Sequence, residues 1–233
     1  MFQFWLCLCA LGVLSGEFYL SIPSAAGAKA RLVSVLPCCT FSGPAVVCAP
    51  QGLTIMPSKC VKILLTGLPG CGKTTAIVKI IAGLACENMA GFYTQEIRQR
   101  NVRKGFSWRR LDGAAGTLAH VAIKSRVKVG RYGVDVAGFE NNVVPVLDPD
   151  QDNVELFVLD EIGKMECFSK GFVADVRRLL ESEKSVLATV AQKGSGLIAE
   201  IKSHPGTELI TLTRDNRDEM VAEIIRRLSF LGK

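Results

Sequence analysis

Residues 61–84 leave this chain few folds to choose from. An apolar run, Val61–Thr66, and an apolar-rich segment, Thr75–Leu84, are separated by Gly67-Leu68-Pro69-Gly70-Cys71-Gly72-Lys73-Thr74. The first run reads as a buried strand and the second as a helix. The octet between them fits G-x-x-x-x-G-K-S/T, a loop that wraps phosphate. Such a loop works only in a strand–loop–helix setting, because its N–H groups and the helix N-terminus must converge on one anion. Gly67 and Gly72 let the backbone approach the anion with no Cβ in the way. Pro69 stiffens the turn, and Cys71 occupies a variable position that a small filler suits. Lys73 reaches β- and γ-phosphates, and the Thr74 hydroxyl suits Mg²⁺. Gly67, Leu68, Pro69, Gly70, Cys71, Gly72, Lys73, Thr74 and Thr75 are therefore the expected triphosphate cradle. The loop implies a nucleoside triphosphate with Mg²⁺ as cofactor and does not distinguish hydrolase from kinase.

Residues 1–55 form a segment of different character, an N-terminal extension ahead of an expected domain at 56–233. They carry one acid, Glu17, and two bases, Lys29 and Arg31. Phe4–Leu14 is apolar but short for a bilayer span, and no basic residue precedes it as in a signal peptide. Three readings stay open: a targeting leader, an organelle transit peptide, or an extension outside the fold with translation starting at Met56. The expected compartment follows that choice: soluble and intracellular, cytoplasmic unless the extension is a transit peptide. Of the nine cysteines, Cys7, Cys9, Cys38, Cys39, Cys48 and Cys60 lie in or beside the extension. The chain has no C-x-x-C pair, and His120 and His204 are isolated, so neither zinc nor a disulfide framework is expected.

From Met56 onward, strands and helices alternate. Strands are expected at Val61–Thr66, Gly91–Ile97, Glu155–Leu159, Ser185–Val190 and Glu208–Thr213. Lys104–Leu111 and Thr117–Ile123 read as a β-hairpin turning near Asp112-Gly113. Helices are expected at Thr75–Leu84, Phe168–Glu181 and Asn216–Phe230, with Thr213 near the start of the last as a cap. A short helix is expected across Phe139–Leu147, with Pro145 inside it. This alternation predicts an α/β domain, a mostly parallel sheet with helices on both faces and an inserted hairpin.

Leu156-Phe157-Val158-Leu159-Asp160-Glu161 is the second strong signal. Four apolar residues followed by acids describe a buried strand that delivers Asp160 to the carboxyl edge of the sheet, where open α/β sheets bind ligands. Asp160 would hold Mg²⁺ with Thr74, and Glu161 would orient the attacking water or accept its proton. A water-positioning acid favours hydrolysis over transfer to another acceptor.

The run Asp160-Glu161-Ile162-Gly163-Lys164-Met165-Glu166 resembles the D-E-I-G-K-M-E signature of a small P-loop nucleoside-triphosphatase family. That family includes thermophile enzymes and the human cancer-related nucleoside-triphosphatase. Gly91-Phe92-Tyr93-Thr94-Gln95-Glu96-Ile97-Arg98 is similar to another of its blocks. Gly105-Phe106, the Gly130–Asp135 run and Thr213-x-x-Asn216-Arg217 follow in the expected places. The likeness covers about residues 60–230. It implies a RecA-like P-loop core and hydrolysis of ATP, GTP, CTP and UTP to diphosphate and phosphate, with Mg²⁺ and weak base selectivity.

Residues 98–131 are rich in Arg and Lys, with Asp112 the one acid among them. Arg98, beside Glu96, is the first choice for a group that neutralises transition-state charge. Alternatively the hairpin is an RNA surface with Phe106 and Trp108 as stacking groups, or a solvated basic face with both rings turned inward. Lys164 is placed near the γ-phosphate, with Glu166 pairing and aiming it. Asn216 and Arg217 are candidates for base or ribose contact, or a helix cap and an exposed arginine. Thr189 is either a γ-phosphate sensor or filler. The leading expectation is a monomeric Mg²⁺-dependent nucleoside triphosphatase with no membrane contact in its core domain. The rivals are a nucleotide or nucleoside kinase and an RNA-binding regulatory ATPase.

Overall fold

The computed structural model describes residues 12–14, 17–19 and 60–231. β1 (Gly12–Leu14) and β2 (Glu17–Tyr19) pair antiparallel with each other and belong to a unit separate from residues 54–233. The other expectations for the extension, and the Met56 start, lie outside the described residues. Among these, no helix is long and apolar enough to cross a membrane.

The second unit is built on β3 (Lys62–Thr66), α1 (Lys73–Gly83), β4 (Met89–Gln99), β5 (Val102–Arg110) and β6 (Ala115–His120). Next come β7 (Lys128–Val129), β8 (Tyr132–Val134), α2 (Val136–Asn142), β9 (Leu156–Ile162) and α3 (Lys170–Glu181). β10 (Ser185–Val190), α4 (Leu197–Lys202), β11 (Glu208–Thr211) and α5 (Arg217–Leu228) complete it. One sheet runs β11-β3-β10-β9-β4-β5-β6-β8-β7. The pairings from β11 to β4 are parallel and those from β4 to β7 are antiparallel. The α/β class with a parallel core thus holds.

The core strands read as continuous apolar runs because both of their faces are covered. Successive side chains alternate between faces. Ile63, Leu65, Leu156 and Val158 pack under α1 and α5, whereas Leu64, Phe157 and Leu159 pack against α2, α3 and α4. On the second face Phe92, Phe139 and Phe172 meet edge to face, with centroids 5.4, 5.5 and 6.1 Å apart. α3 starts where Ser169 accepts from the Phe172 N–H, 3.0 Å, a side-chain cap of the usual kind.

Three expectations change. The insertion is larger than one hairpin: β4 continues past the parallel core and folds back into β5 through Arg100-Asn101. That dipeptide takes positive φ, 48° and 61°, so the tight turn contains no glycine. The helix expected over Phe139–Leu147 divides into α2 and a 3₁₀ turn at Val144–Leu147, with Pro145 in the first positions of the turn. Proline lacks the N–H that a continuing α-helix needs there. α4 has no counterpart among the sequence expectations.

Candidate active site

The P-loop joins β3 to α1 as the motif requires. Gly72 sits in the left-handed region, φ 95° and ψ 32°, and a Cβ there would lie 2.9 Å from Arg217 Nη1. Only glycine combines that backbone with that contact. No side chain caps α1 and no acid lies in its first turn, so its leading N–H groups face the loop uncapped, an arrangement that favours an anion. Lys73 bends back and donates from Nζ to Gly67 O, 3.2 Å.

β9 and β3 are separated by β10, so Asp160 approaches the loop across Thr189. Thr189 Oγ1 donates to Asp160 Oδ1 at 2.5 Å, which gives this threonine a positioning contact. Asp160 is 1% exposed, and its Oδ2 has no hydrogen-bond partner among the described residues. Burial pushes its carboxyl up. The Thr189 and Thr74 hydroxyls, the Thr94 N–H and the Lys73 charge pull against that. An unpartnered carboxylate oxygen beside a threonine hydroxyl is a hard oxygen donor set, and it fits Mg²⁺. Glu161 follows directly. Burial raises its carboxyl first, Lys73 opposes, and Asp160 adds to the rise.

A cleft of about 1120 Å³ joins these groups. Gly67, Pro69, Gly70, Gly72, Lys73, Thr74 and Thr75 form one wall. Glu161 and the β10 exit, Ala191-Gln192-Lys193, form another, and the β4–β5 hairpin supplies Thr94, Gln95, Glu96, Arg98, Arg103 and Phe106. Leu68 projects to solvent, 65% exposed, while Cys71 packs into the core as a filler. Gln95, Gln192 and Lys193 are not among the residues that the sequence marks as candidates, whereas Arg103 belongs to the basic stretch from which a phosphate contact is expected. Gln192 and Lys193 follow the carboxyl end of a core strand, the edge that the sheet rule marks, and Gln95 and Arg103 face the cleft from the β4–β5 hairpin.

Other candidates sit elsewhere. Lys164 is exposed and does not line the cleft. The expected Glu166–Lys164 pair is absent among the described residues. Glu166 is buried instead, because the 3₁₀ turn Glu166–Phe168 folds its carboxyl back to accept from the Gly163 N–H, 3.1 Å. Asn216 uses its side chain locally: Oδ1 accepts from Thr213 N–H at 2.8 Å and Nδ2 donates to Thr211 O at 3.0 Å. Thr213 Oγ1 returns a bond by accepting from Asn216 N–H, 3.2 Å. Arg217 lies against Gly72, outside the cleft wall, and pairs with Asp218. Trp108 is buried, and Phe106 lies under the Arg103 guanidinium with Tyr132 at its edge. Trp108 is thus turned inward, and one face of Phe106 is taken by the Arg103 guanidinium.

The profile of the NTPase family matches residues 62–225, a span that includes the loop, the acidic pair and the hairpin. The chain belongs to the nucleoside-triphosphatase family. Nucleoside-triphosphatase THEP1 of Thermotoga petrophila is 40% identical over 169 residues, 72% of this chain and 93% of that protein. The human cancer-related nucleoside-triphosphatase is 36% identical over 181 residues, 70% of this chain and 94% of that protein. The crystal structure of THEP1 from Aquifex aeolicus superposes with a TM-score of 0.65 at 36% identity, covering 74% of this chain and all of that one. The RecA-like P-loop architecture and the enzyme class, a nucleoside-triphosphatase, follow for this chain.

Proposed function

We propose that this nucleoside-triphosphatase hydrolyses ATP, GTP, CTP and UTP to the diphosphate and phosphate, with Mg²⁺ as cofactor and residues 56–233 as the catalytic domain. The observation that carries the reading is one cleft in which Glu161 faces the P-loop residues Lys73 and Thr74, with Asp160 bonded in behind them. The loop N–H groups and the α1 N-terminus hold the phosphates, and Lys73 exchanges Gly67 O for phosphate oxygen. Thr74 Oγ and Asp160 Oδ2 would hold Mg²⁺, which when bound neutralises charge on the β- and γ-phosphate oxygens. Glu161 positions a water in line with the γ-phosphorus and takes up its proton. A carboxyl raised by burial is a better base than an exposed one.

Weak base selectivity has a physical basis here. The Asn216 amide is engaged with Thr211 and Thr213, so it is not free to read a base edge. Arg217 beside Gly72 remains for ribose or base contact without specificity. Phosphate release by the full chain, measured with each triphosphate and with or without Mg²⁺ and candidate acceptors, tests the reading. Glu161→Gln is expected to retain triphosphate binding and lose turnover by about 10²–10⁴-fold. Turnover at the wild-type rate removes Glu161 from the mechanism, and product that forms only with an added acceptor makes the enzyme a kinase.

A further inference from the structure

The β4–β5 turn places Arg98 and Arg103 opposite each other across the strand pair, and both line the cleft that faces the P-loop. Their surroundings differ. Arg98 is engaged along its whole edge: Nε lies 2.7 Å and Nη2 2.6 Å from Glu96 Oε2, and Nη1 donates to Asn101 O at 3.3 Å. These contacts tie β4 to the turn residue Asn101, so this guanidinium closes the hairpin. Arg103 touches Glu96 through one ion pair, Nη2 to Oε1 at 2.7 Å. Among the described residues its side chain donates no hydrogen bond. Its guanidinium instead lies over the Phe106 ring, 5.5 Å from the centroid, and Tyr132 braces that ring edge-on with centroids 5.5 Å apart.

We infer that Arg103, rather than Arg98, is the cation that meets the γ-phosphate end of the substrate, with Arg98 acting as a lock on the turn. The inference rests on the hydrolase reading above. Stacking on an aromatic face orients a guanidinium plane without consuming its N–H groups. The result is a fork of donors held in place before substrate arrives, which is what stabilising developing charge requires. The ion pair to Glu96 is exposed, so a phosphate can replace it. The cleft supports the exchange: with Arg98 spent on Glu96 and Asn101, Lys73, Arg103 and Lys193 remain opposite Glu161 among its charged walls, a balance that suits a polyanion.

Phosphate release from Mg²⁺-ATP by the full chain is the test, with thermal melts of each variant as the folding control. Arg103→Ala is expected to lower kcat by about 10²-fold, the loss typical of one transition-state donor, with KM changed less than about threefold. Arg103→Gln keeps a flat group of similar reach over Phe106 but no charge, and is expected to lose the same factor, which separates charge from packing. Arg98→Ala is expected to lower the melting temperature while kcat stays within about threefold of wild type. Wild-type kcat in Arg103→Gln overturns the inference. So does an Arg98→Ala loss equal to that of Arg103→Ala, since hairpin integrity would then explain both. Glu161→Gln, run alongside, distinguishes the two readings: if it loses turnover and Arg103→Gln does not, the arginine assignment alone falls, and if it turns over at the wild-type rate the hydrolase mechanism falls first.

Discussion

Asp160, Glu161 and Glu166 are three acids on one strand and its exit turn, and their depth gives each a different chemistry. Asp160 keeps one oxygen engaged by Thr189 and one free for a cation. Glu161 opens to the cleft. Glu166 is enclosed, and burial with the nearby Glu161 and Asp160 charges pushes its carboxyl up to about 8. Its folded value therefore lies above the unfolded value, so between about pH 4.5 and pH 8 the folded state holds a proton that the unfolded state has released. Stability from this group is complete below pH 4.5 and is lost as pH rises through 8. Glu166→Gln, neutral at every pH, is expected to melt above wild type at pH 8.5 and to lose that advantage at pH 5. Thermal melts at the two pH values check this, and an advantage independent of pH would assign the effect to packing. The identities of these acids were legible in the sequence; their depths were not. Closeness in the chain makes Lys164 the expected partner of Glu166, whereas the backbone turn between them presents the Gly163 N–H, three residues back, to that carboxyl instead.

Element by element, the sequence was most informative where burial on two faces imposes a continuous apolar run. The strands at 62–66, 156–162 and 185–190 were expected within a few residues, as was the helix after the loop. It was least informative at the β4–β5 turn. Arg100-Asn101 carries no glycine signal, although Asn tolerates the left-handed region better than most residues. The strands expected at Gly91–Ile97 and Lys104–Leu111 therefore carry no sign that this turn pairs them and brings Glu96, Arg98 and Arg103 to the cleft. What fastens α2 and α3 to the core is more local: Phe139 from α2 packs edge to face against Phe92 of β4 and Phe172 of α3. Phe139→Ala removes a fully buried ring from that triangle and is expected to destabilise the fold by about 3–5 kcal/mol, read as a lowered denaturant midpoint. A shift below about 1 kcal/mol would mean that the surrounding rings collapse to fill the space.

For the whole molecule, sheet order is what makes a site of two distant motifs. β3 and β9 are not neighbours; β10 lies between them and Thr189 bridges to Asp160. The rule that ligands gather at the carboxyl edge of such a sheet made the meeting of P-loop and acidic pair predictable. The tilt of each side chain remained invisible, which is why Lys164 and Asn216 were placed in the site and Lys193 was passed over. The same arrangement predicts how ligand binding acts on the fold. In the proposed site the phosphate cradle draws on β3 and α1, the acids on β9, and Arg103 on the β4–β5 hairpin, so a bound triphosphate would link elements from both halves of the sheet. A ligand that binds only the folded state stabilises it by about 2.7 kcal/mol at a hundredfold excess over its Kd. Full-length Glu161→Gln, expected to bind without turnover, should melt several degrees higher with Mg²⁺-ATP. The shift should shrink when EDTA removes the cation that Thr74 and Asp160 would hold. Combined with Lys73→Ala it should largely vanish, because the β- and γ-phosphates then lose their cationic contact in the loop. A full shift in the Lys73→Ala background would mean that the triphosphate is held elsewhere in the cleft, with Arg103 as its main anchor.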